Sequence, residues 1–210
     1  MNRSEPSSQK PEQAAASVAI FEPAGRVQHS PALRWDVHFM NLALDLARQA
    51  AQQGDIPVGA IVVRQRTAIA GRQTGEDTDL PEIVGLGENR RHRNFDPTAH
   101  AEILALRAAG EKCGQWQLTD CDLYVTLEPC PMCAGALVNA RISRVIFGCF
   151  DPKAGAVETL FQLTHDARLN HRVIATGGVC SAEAAGLLKR FFADKRKSRK
   201  SKPGIADGAA

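Results

Sequence analysis

One short stretch limits what this 210-residue chain can fold into more than any other. The β-rich run Leu123-Tyr124-Val125-Thr126-Leu127 leads through Glu128 into Pro129-Cys130-Pro131-Met132-Cys133. Two cysteines three apart share one face of a helical turn and can bind a single metal ion. Pro131 suits the first turn of a helix, where its missing N–H is no loss. The sulfurs then sit at a helix N-terminus, where free N–H groups and the helix dipole favour thiolate over thiol. The stretch therefore predicts a strand over 123–127 that hands over to a short helix over 131–140.

By itself, Cys-x-x-Cys is weakly specific. It fits a redox pair or half of a structural zinc site as well as a catalytic one. A second segment, His100-Ala101-Glu102, supplies a further nitrogen ligand and a carboxylate. One His and two Cys make three protein ligands, the number a catalytic zinc keeps when its fourth position is left for water. A structural site needs four, and by count Cys113 or Cys121 could supply the fourth. Glu102 is better placed as an acid/base than as a ligand. In a regular helix residues two apart point roughly 200° from each other, so His100 and Glu102 converge only if His100 lies at a helix end or the substrate lies across the helix tip. Asp96-Pro97-Thr98 is a helix-start signal of that kind, a side-chain capper followed by Pro, and predicts a helix that runs to Ala109 and stops at Gly110.

The rest of the chain alternates. Residues 34–53 have helical periodicity, with Phe39, Leu42, Ala43, Leu46, Ala47 and Ala50 on one face and Gly54 as the stop. Strands are expected over 56–63, 83–87, 144–147 and 172–175, a helical turn or two over 157–163, and a helix over 181–192 capped by Ser181. The segment 64–81 reads as a long polar hairpin loop. This order predicts an α/β fold, a central mixed sheet with helices on both faces in three α/β/α layers. Residues 1–32 read as a disordered leader, 33–194 as the domain and 195–210 as a basic disordered tail.

No run approaches the ~18 apolar residues of a membrane helix, and Met1 to Gln13 does not read as a signal peptide. The expectation is a cytoplasmic protein with reduced thiols, in which Cys113, Cys121, Cys149 and Cys180 are small buried hydrophobes. The net charge of +3 is unevenly spread, with eight basic and two acidic residues from Lys189 onward. That asymmetry suggests an anionic partner, although a solvated tail has the same composition. Trp35 and Trp116 read as packing residues, as do His38, His92, His165 and His171 or, failing that, as surface groups.

His-x-Glu combined with Pro-Cys-x-x-Cys is the established signature of zinc nucleobase deaminases. At these residues, and from about 34 to 197, the chain resembles the bacterial tRNA-specific adenosine deaminases of the cytidine deaminase-like superfamily. The likeness is carried by Ile56-Pro57-Val58-Gly59-Ala60, by residues 96–102 and 124–136, by Phe147-Gly148, by Asp151-Pro152-Lys153-Ala154-Gly155-Ala156 and by Asn170-His171-Arg172-Val173. It implies a cytidine deaminase-like fold with one Zn2+ per chain on His100, Cys130 and Cys133, and proton transfer by Glu102. It also implies Asn89 as a nucleoside contact, a homodimer, and the wobble adenosine of a tRNA anticodon loop as substrate, converted to inosine. Asp151 and the cations Lys195 and Arg196 are further candidates for contacts to the RNA. Glu88 departs from the family, which often has a large aromatic there, and the 64–81 loop is longer than its usual hairpin. The rival readings are a small-molecule deaminase acting on guanine, cytosine or a free nucleoside, and a non-catalytic RNA-binding subunit.

Overall fold

A computed structural model of the chain describes residues 32–65 and 81–200. The expected leader, most of the expected 64–81 loop and residues 201–210 lie outside the described residues. The elements are α1 (Ala32–Gln52), β1 (Gly59–Arg64), β2 (Glu82–Glu88), α2 (Ala101–Cys113), β3 (Cys121–Leu127), α3 (Pro131–Asn139), β4 (Arg144–Cys149), a 3-10 turn (Leu163–His165), β5 (Ile174–Gly177) and α4 (Ser181–Lys200).

The strands form one sheet in the order β2-β1-β3-β4-β5. β1 is antiparallel to both β2 and β3, whereas β3–β4 and β4–β5 are parallel, so the sheet is mixed. Its central strands are apolar at nearly every position because both faces are covered. Side chains alternate between the faces. Ala60, Val62, Leu123, Val125, Val145 and Phe147 enter one core with α2 and α3. Ile61, Val63, Tyr124 and Ile146 enter another with Phe39, Met40 and Ala43 of α1. A smaller cluster joins Leu44 of α1, Cys149 of β4 and Ala184 of α4. The three expected layers are present.

Helix α2 lies unusually close to the sheet. A Cβ on Gly85 or Gly87 would come within 2.2 or 2.1 Å of the carbonyl oxygens of Ala105 and Ala101. The bare strand backbone faces Ala101, Ala105 and Ala109, all fully buried and four apart on one helix stripe. At the Arg144 end of β4, Tyr124 donates to Asp36 at 2.8 Å, and Arg144 pairs with Asp122 at 2.7 Å. These contacts tie α1 to β3 and β4.

Several boundaries differ from expectation. α2 starts at Ala101, because Asp96 spends its carboxylate on the Thr98 N–H and hydroxyl in a separate turn. It passes Gly110 and ends at Gly114, whose φ of 64° is the left-handed C-cap. Gly148 lies within β4, and β5 begins two residues later than the apolar run suggested. α4 continues to Lys200, past the 194/195 boundary expected for a disordered tail. Trp35 packs on the α1 core as expected, whereas Trp116 is 67% exposed beside the end of α2.

Candidate active site

The candidate site residues gather where two helices begin. His100 is the N-cap of α2 and Cys130 the N-cap of α3, both in extended backbone conformation. Neither side chain makes a capping hydrogen bond, so both are free to point elsewhere. Because His100 precedes the first helical residue, it escapes the angular rule that would turn it away from Glu102. Cys133 lies in the first turn of α3 and is fully buried.

The three donor atoms converge. His100 Nδ1 is 3.7 Å from Cys130 Sγ and 3.4 Å from Cys133 Sγ, and the two sulfurs are 3.7 Å apart. A tetrahedral zinc with bonds of about 2.3 Å to sulfur and about 2.0 Å to nitrogen sets S–S edges of about 3.8 Å and S–N edges of about 3.5 Å. The observed triangle therefore fits one face of a zinc tetrahedron. Among the described residues these three form the group able to hold a metal, and neither Cys113 nor Cys121 joins it.

The close approach of these donors shapes their electrostatics. The hydrogen bond with Cys133 holds the Cys130 thiol down at about 4, against burial and with help from His100. Cys133 is pushed up by the same sulfur pair and by burial, so the proton stays on the deeper sulfur. The Cys130 contact raises His100 against the opposing effect of burial. Glu102, 4% exposed in the first turn of α2, is raised chiefly by desolvation. A buried carboxyl beside the metal ligands that holds a proton more readily than usual is suited to proton transfer.

This group opens into a cavity of about 680 Å3. Ile56, Val58 and Leu127 supply apolar wall, and buried Asn89, its N–H bonded to Val58 O at 2.9 Å, joins His100, Glu102 and Cys130 in the lining. Asp151 and Arg196 also line it. Lys195 does not; its ammonium lies 5.4 Å from the Phe191 ring centroid. The cations that reach the cavity are Arg91, Lys153, Lys189 and Arg196, all exposed and drawn from three separate segments.

Two lining features escaped the sequence reading. Arg91 follows Asn89 in an Arg-Arg-His-Arg run, a signal that was present in the sequence. This connection is pinned from below: buried Asp55 accepts the N–H groups of His92 and Arg93, at 2.7 and 3.2 Å. Glu88, standing where the family often has an aromatic, pairs with Arg93 at 2.8 Å and Arg90 at 3.4 Å. The other feature is Glu128. Burial works against its ionisation, but the Thr159 hydroxyl and the amides of Glu158, Asp151 and Thr159 hold its carboxyl below the ordinary value. His171, which does not line the cavity, contacts Ile142 O at 2.7 Å. Cys121 and Cys149 are buried, and Cys113 and Cys180 half-buried, all four as free thiols.

A family model for the cytidine and deoxycytidylate deaminase zinc-binding region matches residues 33–149. The chain is 39% identical over 166 residues to a tRNA-specific adenosine deaminase of Bacillus subtilis (strain 168), covering 79% of this chain and 94% of that one. It is 40% identical over 166 residues to the Haemophilus influenzae protein of the same name, covering 79% and 88%. A solved structure from work on A-to-I editing by tRNA:A34 deaminases at the wobble position superposes with a TM-score of 0.62 at 40% identity, over 72% of this chain and 99% of that one. A guanine deaminase from Nitrosomonas europaea, 21% identical with a TM-score of 0.60, shares the fold.

Proposed function

This chain belongs to the zinc-binding cytidine and deoxycytidylate deaminase family, and from that premise we propose that it deaminates adenosine to inosine at the wobble position of tRNA. The carrying observation is the zinc-sized triangle of His100, Cys130 and Cys133 beside buried Glu102, in a cavity edged by cations. Relatives and metal group support deamination together. The cations support a polyanionic substrate over a free base, because phosphates are what Arg and Lys contact without regard to sequence.

His100, Cys130 and Cys133 would hold zinc, which when bound would supply the Lewis acidity that lowers the pKa of a water from about 15.7 to about 7. The remaining work belongs to the chain. Glu102 takes one proton from the attacking water on its carboxylate oxygen and delivers it to adenine N1 as the C6–O bond forms, then carries the second proton from the new C6 hydroxyl to the amine as the C6–N bond breaks. Adenosine and water become inosine and ammonia. Asn89 orients the nucleoside from the cavity lining. Ile56, Val58 and Leu127 exclude bulk water from the reacting base. Arg91, Lys153, Lys189 and Arg196 hold the phosphates that flank it, and Asp151 contacts a neighbouring nucleotide.

An anticodon loop fits such a site because its bases are unpaired and can be turned into a pocket at low cost. A second copy of the chain is the partner proposed for the α2–α3 face, where exposed Trp116 edges a groove with Ile103, Leu106 and Ala136. The compartment proposed is the cytoplasm, where the tRNA substrate resides. No helix among the described residues is long and apolar enough to cross a membrane. The deciding experiment incubates the purified protein with total tRNA and sequences for A-to-I change, with free adenosine, cytidine and guanine alongside. Turnover of a free base or nucleoside with none on tRNA would replace this reading with the small-molecule one. Sedimentation at micromolar concentration tests the dimer.

A further inference from the structure

Glu128 is a glutamate where the sheet gives way to the metal-binding helix, and it is 2% exposed. Burying a carboxylate is costly unless hydrogen bonds replace its water. Here they all come from one segment. Its oxygens accept the N–H groups of Asp151 at 3.0 Å, Val157 at 3.2 Å, Glu158 at 2.8 Å and Thr159 at 2.9 Å, and the Thr159 hydroxyl as well. The wrap is close: a Cβ on Gly155 would fall 2.3 Å from Glu128 Oε2. The backbone completes it, with Glu128 N–H bonded to Cys149 O at 2.9 Å and Ala156 N–H to Pro129 O at 2.8 Å.

Residues 151–159 contain no helix or strand. The amides of Lys153 and Gly155 bond to Asp151 within the segment, and four others find one carboxylate outside it. The same segment presents Asp151, Pro152, Lys153 and Ala154 to the cavity. On its other side, Glu128 is two residues from Cys130. One side chain, together with two backbone bonds, thus joins the start of the metal-binding helix to the wall that faces it.

We propose that Glu128 is a positioning residue that holds segment 151–159 as a rigid wall and thereby sets where the RNA lies relative to the metal group. It acts through that wall, since the loop takes up both carboxylate oxygens. This inference rests on the tRNA reading and assigns part of its substrate specificity to an acid that makes no contact with the reacting atoms.

The test is Glu128→Gln in the full chain loaded with zinc. Glutamine keeps the volume but turns one acceptor into an NH2 donor, facing amides that also donate. Amide hydrogen exchange across 151–159 should rise about tenfold or more. Zinc should stay at one per chain. The KM for tRNA should rise about tenfold while kcat falls less than about threefold. Thr159→Val removes a single hydroxyl and serves if the glutamine variant does not fold; its KM should rise about threefold. Unchanged exchange overturns the wall, and so does zinc lost in step with activity. Raised exchange with unchanged KM overturns the positioning role. Wild-type protein inactive on tRNA overturns the substrate reading, while the exchange measurement still decides whether Glu128 holds the loop.

Discussion

The depth of the cavity and its mouth are built differently. The metal group comes from two short segments, each at a helix start, and its atoms are buried or half-buried with donor separations of 3.4–3.7 Å. The mouth is assembled from exposed side chains on three segments: Arg91 before α2, Lys153 after β4, and Lys189 and Arg196 on α4. The deep group brings its side chains close together. The mouth is spread out, and under the proposed function each cation there would contribute a modest, salt-screened share of phosphate binding. Chemistry and substrate grip should then be separable, and variants should sort into two kinds.

The sharpest contrast comes from Glu102. Glu102→Gln should lower kcat on tRNA by about 10^3-fold or more, with zinc and tRNA affinity near wild type. Single-turnover assays beside metal analysis check this, and near-normal turnover would remove Glu102 from the chemistry. Cys130→Ala or Cys133→Ala should lose zinc and, with it, activity, because two ligands rarely retain what three hold. Full zinc occupancy in either variant would break the assignment. At the mouth, Lys189→Ala with Arg196→Ala should raise the Kd for tRNA about tenfold and flatten the salt dependence by about two phosphate contacts, leaving zinc untouched. An unchanged salt slope would return these cations to the solvated surface. Tyr124→Phe, far from both regions, should cost about 1 kcal/mol of stability through its lost bond to Asp36 and leave kinetics alone. A kinetic effect there would show that the sheet transmits strain to the site.

The same division governs what could be read in advance. Cys130 and Cys133 were legible because a helical turn converts a spacing of three into a shared face. His100 and Glu102 were legible as residue types, but their convergence depended on where α2 begins. The Asp96-Pro97-Thr98 signal placed that start too early, since a short acid can satisfy a local turn as readily as a helix. Lys195 and Arg196 looked equivalent in sequence. Only the phase of α4 turns Arg196 to the cavity and leaves Lys195 over Phe191. Glu128 lay inside the most informative motif of the chain, yet its partners are 23 to 31 residues away.

From the sequence alone came the layered α/β architecture and the pairing of Cys130 with Cys133, which rest on periodicity and on close spacing that local backbone geometry converts directly into shape. The full ligand set and the class of reaction were what the resemblance to the deaminases implied. The tertiary structure alone decided that His100 stands outside its helix, that four cations from distant segments meet at one mouth, and that a single buried glutamate gathers the loop between them. Such arrangements depend on contacts between residues far apart in the chain, and those exist only once the sheet and its helices have packed.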